Sequence, residues 1–318
     1  PLRFILPHSG KMRNRFLVRA GLFLYDHLAK RHHIPSSHFI NLQKEKAGSI
    51  LNKDLRQGYV YWDCWGDDSR LVILNARLAQ NHGALILPQT RVLKISKGPN
   101  FWSVILRSPS EEKVCEARVI VNAAGPWADT VQKLTFTSEG SPVDGSGARL
   151  KLVKGSHLVV RRLSNISEDD AYILQNKDGR VIFILPFEKK FHLIGTTDVN
   201  FEGDPASVQC SEEEEKYLLE AVNIYLETPL TQKNILWRFS GVRPLKSHGS
   251  EEELSALSRD YYLELEGRGH GSAFLTIIGG KVTTFRRLSE EVLEKLRPEF
   301  PRMGKNWTED FPLPGGNI

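Results

Sequence analysis

Apolar positions near the start of the chain recur at helical spacing. Between Lys11 and Arg31 they are Phe16, Leu17, Ala20, Phe23, Leu24 and Leu28, with Pro35 beyond the end, which predicts an amphipathic helix. Residues 36–58 show no period and read as a polar loop. A second helix is predicted from about Ser69 to Gln80, with Leu71, Leu74 and Leu78 as its stripe. Asp67 or Asp68 is placed to cap it and Gly83 to end it. The period then shortens to that of strands at 84–87, 91–96, 101–107 and 113–116, an antiparallel excursion. A further run at 118–122 leads straight into Ala123-Ala124-Gly125-Pro126-Trp127. An apolar strand, a turn of small residues and a helix from about Pro126 are what a buried parallel strand feeding a helix requires.

Four more strands are predicted at 152–160, 171–175, 181–186 and 191–196, with turn residues between them, as in an antiparallel sheet. Ser211 and Glu214 form a capping box that opens a helix to about Leu226. Runs at 236–239, 261–264 and 273–278 read as strands; Gly279-Gly280 is a turn, and Lys281 opens a helix to about Leu296. The tail 311–318, rich in Pro and Gly, reads as a linker. The expected fold class is α/β with an α+β insert: strand–turn–helix units flank an antiparallel sheet, as when a substrate domain interrupts a nucleotide domain. The expected segments are 1–66 (with the basic helix), 67–150, 151–240 (antiparallel sheet), 241–300 and a linker at 301–318.

Composition changes this picture little. The 318 residues suffice for two domains, and 40% hydrophobic with 25% charged residues is a globular mixture. The formal charge of +5 matters through its location. Residues 1–60 hold eleven Lys/Arg against Asp26, Glu45 and Asp54, yet no nucleic-acid motif accompanies them, so no nucleic-acid partner is expected. Cys64, Cys115 and Cys210 lack paired spacing, which argues against a disulfide framework or a metal site and suits a reducing compartment. No apolar run approaches the roughly 20 residues of a membrane span. The chain begins at Pro1 without Met, and sequence upstream of it is expected.

Four places can carry chemistry. A G-x-G-x-x-G loop after a strand is absent, and Gly145-Ser146-Gly147 does not follow a strand in the required way. The turn Asn122–Trp127 uses small residues that let a backbone approach a flat or phosphorylated ligand, though a plain tight turn has the same composition. Gly279-Gly280-Lys281-Val282-Thr283-Thr284 exposes backbone N–H groups at a helix start beside a Lys, a setting for an anion; a solvated Lys after a turn is the alternative. Arg243, fixed by Pro244, suits bidentate capture of phosphate or carboxylate, or caps a carbonyl. His157, inside an apolar strand, is either a hydrogen-bonded core residue or a base near neutral pH.

Together these segments resemble the FAD-dependent glycerol-3-phosphate dehydrogenase family. The resemblance runs in order through Gly21–Leu28, Asp63–Leu71, Asn122–Trp127, Lys154–His157, Ala171–Asn176, Ile194–Asp198, Ser240–Leu245 and Gly279–Phe285. It implies a partial FAD-binding domain of the glycine oxidase and D-amino-acid oxidase type, interleaved with a mixed, largely antiparallel substrate domain. The family's N-terminal nucleotide-binding unit and C-terminal helical region have no counterpart in this sequence.

The reaction implied is oxidation of sn-glycerol 3-phosphate to dihydroxyacetone phosphate by hydride transfer to FAD, with electrons passed to a membrane quinone. Carried over residue by residue, Arg243 would hold the phosphate, His157 would act as base, and Thr196 or Thr197 would position the triose. Lys281 would stabilise charge on the reduced flavin. Asn122, Ala123, Ala124, Gly125 and Trp127, with Gly279, Gly280, Lys281, Val282 and Thr283, would lie against the cofactor. Residues 11–31 suit either a helix on an anionic membrane surface or an ordinary amphipathic helix packed on its own domain with a solvated cationic face. The first reading gives a cytoplasmic protein peripheral to the inner membrane. The FAD site is expected to be incomplete and an unpaired strand edge to favour homo-oligomers; the chain alone should be colourless and inactive. An amino-acid oxidase of the same fold, or a phosphate- or membrane-binding module, are the competing readings.

Overall fold

The computed structural model describes residues 1–8, 15–28, 34–136, 150–163, 167–246, 260–267 and 273–316. Its elements begin with β1 (Leu2–His8), α1 (Arg15–His27), β2 (His38–Asn41), β3 (Gln57–Asp63), α2 (Asp68–Asn81), β4 (Arg91–Lys97), β5 (Trp102–Arg107) and β6 (Glu112–Ala117). There follow β7 (Val119–Asn122), α3 (Ala128–Gln132), β8 (Thr135–Phe136), β9 (Leu150–Arg161), β10 (Asp170–Gln175), β11 (Val181–Phe187), β12 (Phe191–Gly195) and β13 (Val199–Asn200). The last are α4 (Glu212–Asn223), β14 (Ile235–Lys246), β15 (Tyr262–Glu266), β16 (Ala273–Ile278) and α5 (Phe285–Leu296). The expected α/β class, with mixed sheets and helices, is the one observed.

Two units emerge. The first comprises Pro1–Gly66, Lys154–Val199 and Ala206–Gly241; the second comprises Asp67–Val153, Asn200–Pro205 and Val242–Ile318.

The first unit is built on a sheet in the order β13-β9-β12-β11-β10-β1-β3-β2, with β14 also paired to β9. All pairings with printed register are antiparallel except β1 with β10. Alternate residues of each strand point to one face, so Leu174, Ile182, Ile184 and Ile194 fall into the core. Helix α4 buries Leu218, Leu219, Ala221 and Val222 in that cluster. Ser211 and Glu214 cap it reciprocally, as the sequence predicts.

One expectation changes here. Residues 36–58 are not all loop, because β2 pairs with β3 at the sheet's edge. Only Ile40 of its four residues is buried, so no period betrays it. Helix α1 forms within the expected 11–31, but none of its residues is fully buried. Lys11, Arg13 and Arg31 of that expectation, and Gly145–Gly147, lie outside the described residues.

The second unit carries a three-stranded sheet, β15-β16-β7, and a four-stranded one, β6-β5-β4-β8. Strands β16 and β7 are parallel and β15 is antiparallel to β16. The Trp102 indole donates to the Ala273 carbonyl at 3.1 Å and packs edge-on to Phe274 at 5.7 Å, joining the sheets. Helix α2 has Asp67 as its N-cap, accepting from the Arg70 N–H, and Gly83 follows it at φ +89. The strand expected at 84–87 does not form. A strand exists only with a partner for its backbone groups, and none among the described residues pairs with it; Leu85 is 80% exposed. The expected linker 301–318 is not loose in its described part. Trp307 packs on His82 and Phe311, and Thr308 bonds Glu290.

Candidate functional site

In the first unit the candidate residues gather where β9 passes β12. His157 pairs in register with Gly195. A glycine inside a strand marks close approach by another group, and here the group is the His157 imidazole: a Cβ on Gly195 would collide with it. The ring also stacks on Phe239, with centroids 5.1 Å apart and planes 12° apart. His157 is therefore half-buried within an apolar strand, in contact with a position that has no side chain and with an aromatic ring.

Beyond Gly195 come Thr196 and Thr197, which part company. Thr196 is half-buried and its hydroxyl donates to the Thr197 carbonyl at 3.1 Å. Thr197 is 1% exposed. Its hydroxyl donates to Glu214 at 2.6 Å and accepts from the Ser156 N–H at 2.9 Å. Both roles of the Thr197 hydroxyl, donor and acceptor, are thus taken within the protein, whereas the half-buried Thr196 is the more accessible of the two.

Behind the threonines is a buried polar cluster. Glu214, 5% exposed, receives Ser156 Oγ at 2.9 Å and the Lys154 ammonium at 2.7 Å, besides Thr197. Ser156 Oγ lies 2.7 Å from Ser240 Oγ. Burial alone would raise the Glu214 carboxyl; hydrogen bonds from Lys154, the Ser211 N–H, Thr197 and Ser156 outweigh it and hold the group below the ordinary carboxylate range.

In the second unit the parallel register of β7 and β16 pairs Asn122 with Thr276. Parallel neighbours release their turns at the same end of the sheet, so Ala123–Trp127 and Gly279–Thr283 emerge together. Asn122 is buried and ties its own turn: its amide donates to the Ala128 carbonyl at 3.0 Å, and its oxygen accepts from the Ala124 N–H at 3.3 Å. Gly125 has φ +56, and nothing lies within 4 Å of where its Cβ would be. Trp127 is 41% exposed, with its indole 3.4 Å from the Asp204 carboxylate.

Gly279 and Gly280 have φ +73 and +99, a region that favours glycine. A Cβ on Gly279 would press on the Asp260 and Pro244 carbonyls, at 2.9 and 3.4 Å. That contact brings the chain just after Arg243 against the glycine turn. Arg243 itself is half-buried on β14. Lys281 is exposed at the N-cap of a short 3-10 turn, Val282–Thr284, that continues into α5, and no acid occupies the first turn of either. The end of α5 facing this turn thus keeps its positive character.

The sequence located these turns but missed the supports of His157. Gly195, an unexplained glycine in an apolar strand, was the available signal. Phe239 and the wider role of Glu214 carried none, since stacking and burial join residues 82 and 58 positions apart.

Against known proteins, the chain matches the family described as FAD dependent oxidoreductase over residues 5–285. It is 43% identical over 321 residues to the D-erythritol 1-phosphate dehydrogenase of Brucella abortus, covering 100% of this chain and 62% of that one. It is 42% identical over 318 residues to a glycerol-3-phosphate dehydrogenase of Pseudomonas aeruginosa, covering 99% and 60%. Its fold superposes on the X-ray structure of the glycerol-3-phosphate dehydrogenase from Bacillus halodurans complexed with FAD. The TM-score there is 0.74 at 25% identity, over 99% of this chain and 55% of that one. The chain spans about 60% of the length of the curated relatives it matches.

Proposed function

The chain belongs to the FAD dependent oxidoreductase family, and from that premise we propose that the protein oxidises glycerol 3-phosphate to dihydroxyacetone phosphate. The observation that carries this reading is the pair of turns released side by side by β7 and β16, with the backbone after Arg243 pressed on one of them. The names of the relatives supply the substrate class, a short polyol phosphate.

The turns fit part of a flavin. No atom lies within 4 Å of where a Gly125 Cβ would be, and Gly279 and Gly280 hold a conformation that side chains disfavour, so both turns offer bare backbone to a flat ring. Asn122, Ala123, Ala124, Gly125 and Trp127 would line one side, and Gly279 to Thr283 the other. When bound, FAD would accept the hydride from the carbinol carbon. His157 would take the hydroxyl proton, its ring fixed by Gly195 and Phe239. Arg243 would clamp the phosphate with two parallel N–H donors. Thr196 would orient the triose. Lys281 would set a positive charge at the anionic edge of the site.

A second proposal concerns α1. Val18, Leu22 and Tyr25 of this helix are half-buried, whereas Phe16, Leu17, Phe23, Leu24 and Leu28 are each more than 60% exposed. Arg15 and Arg19 stand beside them. An apolar face turned outward with cations at its flank suits a membrane surface better than water. On this reading the protein is cytoplasmic, peripheral to the membrane, and passes its electrons to a quinone.

The test is turnover by the purified protein at its natural length, with its flavin spectrum recorded and a soluble quinone as acceptor. Glycerol 3-phosphate should be oxidised faster than D-erythritol 1-phosphate and far faster than any amino acid. Amino-acid turnover without polyol phosphate turnover would put an amino-acid oxidase in its place, with Arg243 on a carboxylate.

A further inference from the structure

Glu214 is more than the cap of a helix. A capping box needs one bond from the N3 carboxylate to the N-cap N–H, and Ser211 supplies it at 3.0 Å. Three further donors converge on the same carboxylate: Ser156 at 2.9 Å, Thr197 at 2.6 Å and the Lys154 ammonium at 2.7 Å. Each oxygen receives two, which fills the four lone-pair positions of a carboxylate. Such a group has one low-energy arrangement, and a neutral amide cannot reproduce it, because its NH2 would face donors. Two of the donors are chain neighbours of residues assigned to the reaction. Ser156 precedes His157 on β9, and Thr197 follows Thr196. Thr197 also accepts from the Ser156 backbone N–H, so the two segments are tied to each other as well as to Glu214.

We propose that Glu214 is a positioning residue for His157 and Thr196, acting through Ser156, Thr197 and Lys154 to fix where the imidazole and the hydroxyl stand. This rests on the reading that His157 and Thr196 act on the substrate alcohol. Glu214 itself does not touch the substrate.

The test is Glu214→Gln in the protein at its natural length, with rates expressed per bound flavin. The expected result is a kcat for glycerol 3-phosphate at least tenfold lower, with KM changed less than twofold, since Arg243 is left alone. The unfolding midpoint should fall, because the Lys154 ammonium loses its buried partner, and normalising to bound flavin keeps that loss out of the rate. An unchanged kcat per bound flavin would overturn the proposal and leave Glu214 as a helix cap.

Should the Gln variant not fold, Lys154→Met removes one of the four donors and keeps the carboxylate; it should lower kcat three- to tenfold, and no change would overturn the proposal equally. Amide hydrogen exchange needs no substrate and separates this idea from the reaction assigned. In Glu214→Gln, Ser156, His157 and Thr196 should exchange at least tenfold faster, with Leu174 and Ile182 unaffected. That result in a protein that oxidises no polyol phosphate would sink the proposed function and keep Glu214 as the tie. Equal exchange at all five positions would sink the tie.

Discussion

The two units place their apolar residues differently. Among the described residues of the first, twenty buried ones form one cluster between the sheet and α4, reaching from Ile5 to Leu230. Among those of the second, the buried residues fall into groups of four, four and two. Its helix α2 buries no residue fully, and Val72, Ile73, Leu85 and Val121 are all exposed by more than 40%. Yet this second unit holds the glycine turns that suit a flat cofactor. One unit is organised around its own interior; the other is organised around the end of a small sheet. The large packed core and the open glycine turns therefore lie in different parts of the chain, and substitutions should report on them separately.

The sharpest break of this comparison is in the cores. Leu158→Ala in the first unit removes a fully buried side chain from a packed cluster and should cost about 3–4 kcal/mol. Leu71→Ala on α2, where the site is half-exposed, should cost under ~1 kcal/mol. Urea unfolding of both variants checks this, and similar losses would mean that α2 is buried in solution.

The second comparison uses two glycines. Gly195→Ala drives a methyl into the His157 ring and should lower kcat by about a hundredfold, or roughly 2.7 kcal/mol. Gly125→Ala meets no protein atom within 4 Å, and its φ of +56 costs the fold only about 1 kcal/mol. Its methyl enters the space proposed for the flavin, however, so flavin content should fall while kcat per bound flavin changes less than in Gly195→Ala. If kcat per bound flavin fell equally in both, the distinction between a packed and an open turn would fail.

The smallest expected effect is a pH dependence confined to the first unit. His192 is 1% exposed and accepts from the Leu163 N–H at 3.0 Å. Burial, aided by the Arg162 charge, lowers its pKa to about 4 from 6.5. The folded state therefore binds fewer protons, so this contribution is complete above about pH 6.5 and is lost as pH falls toward 4. Between pH 7 and 4.5 the loss should be about 2 kcal/mol. His192→Gln, whose amide oxygen can accept the same N–H, should show a flatter pH profile of the urea midpoint. Parallel profiles would mean that His192 does not titrate on unfolding.

Much of the fold was legible in the chain itself. The α4 capping box, the Asp67 cap with Gly83, the β4–β5–β6 hairpins and the strand-to-turn grammar of β7 and β16 each lie within one stretch of sequence. Periodicity, caps and glycine placement act over a few residues, so local chemistry was enough. Tertiary structure decided the rest. It paired β2 with β3, laid β1 parallel to β10, and left 84–87 without a ladder. It folded Trp307 onto His82 and placed Phe239 on His157. It also turned Glu214 from a helix cap into the meeting point of three segments. These outcomes share one cause: whether a backbone group finds a partner, or a carboxylate its donors, depends on chain brought from far away, and no local pattern records which stretch will arrive.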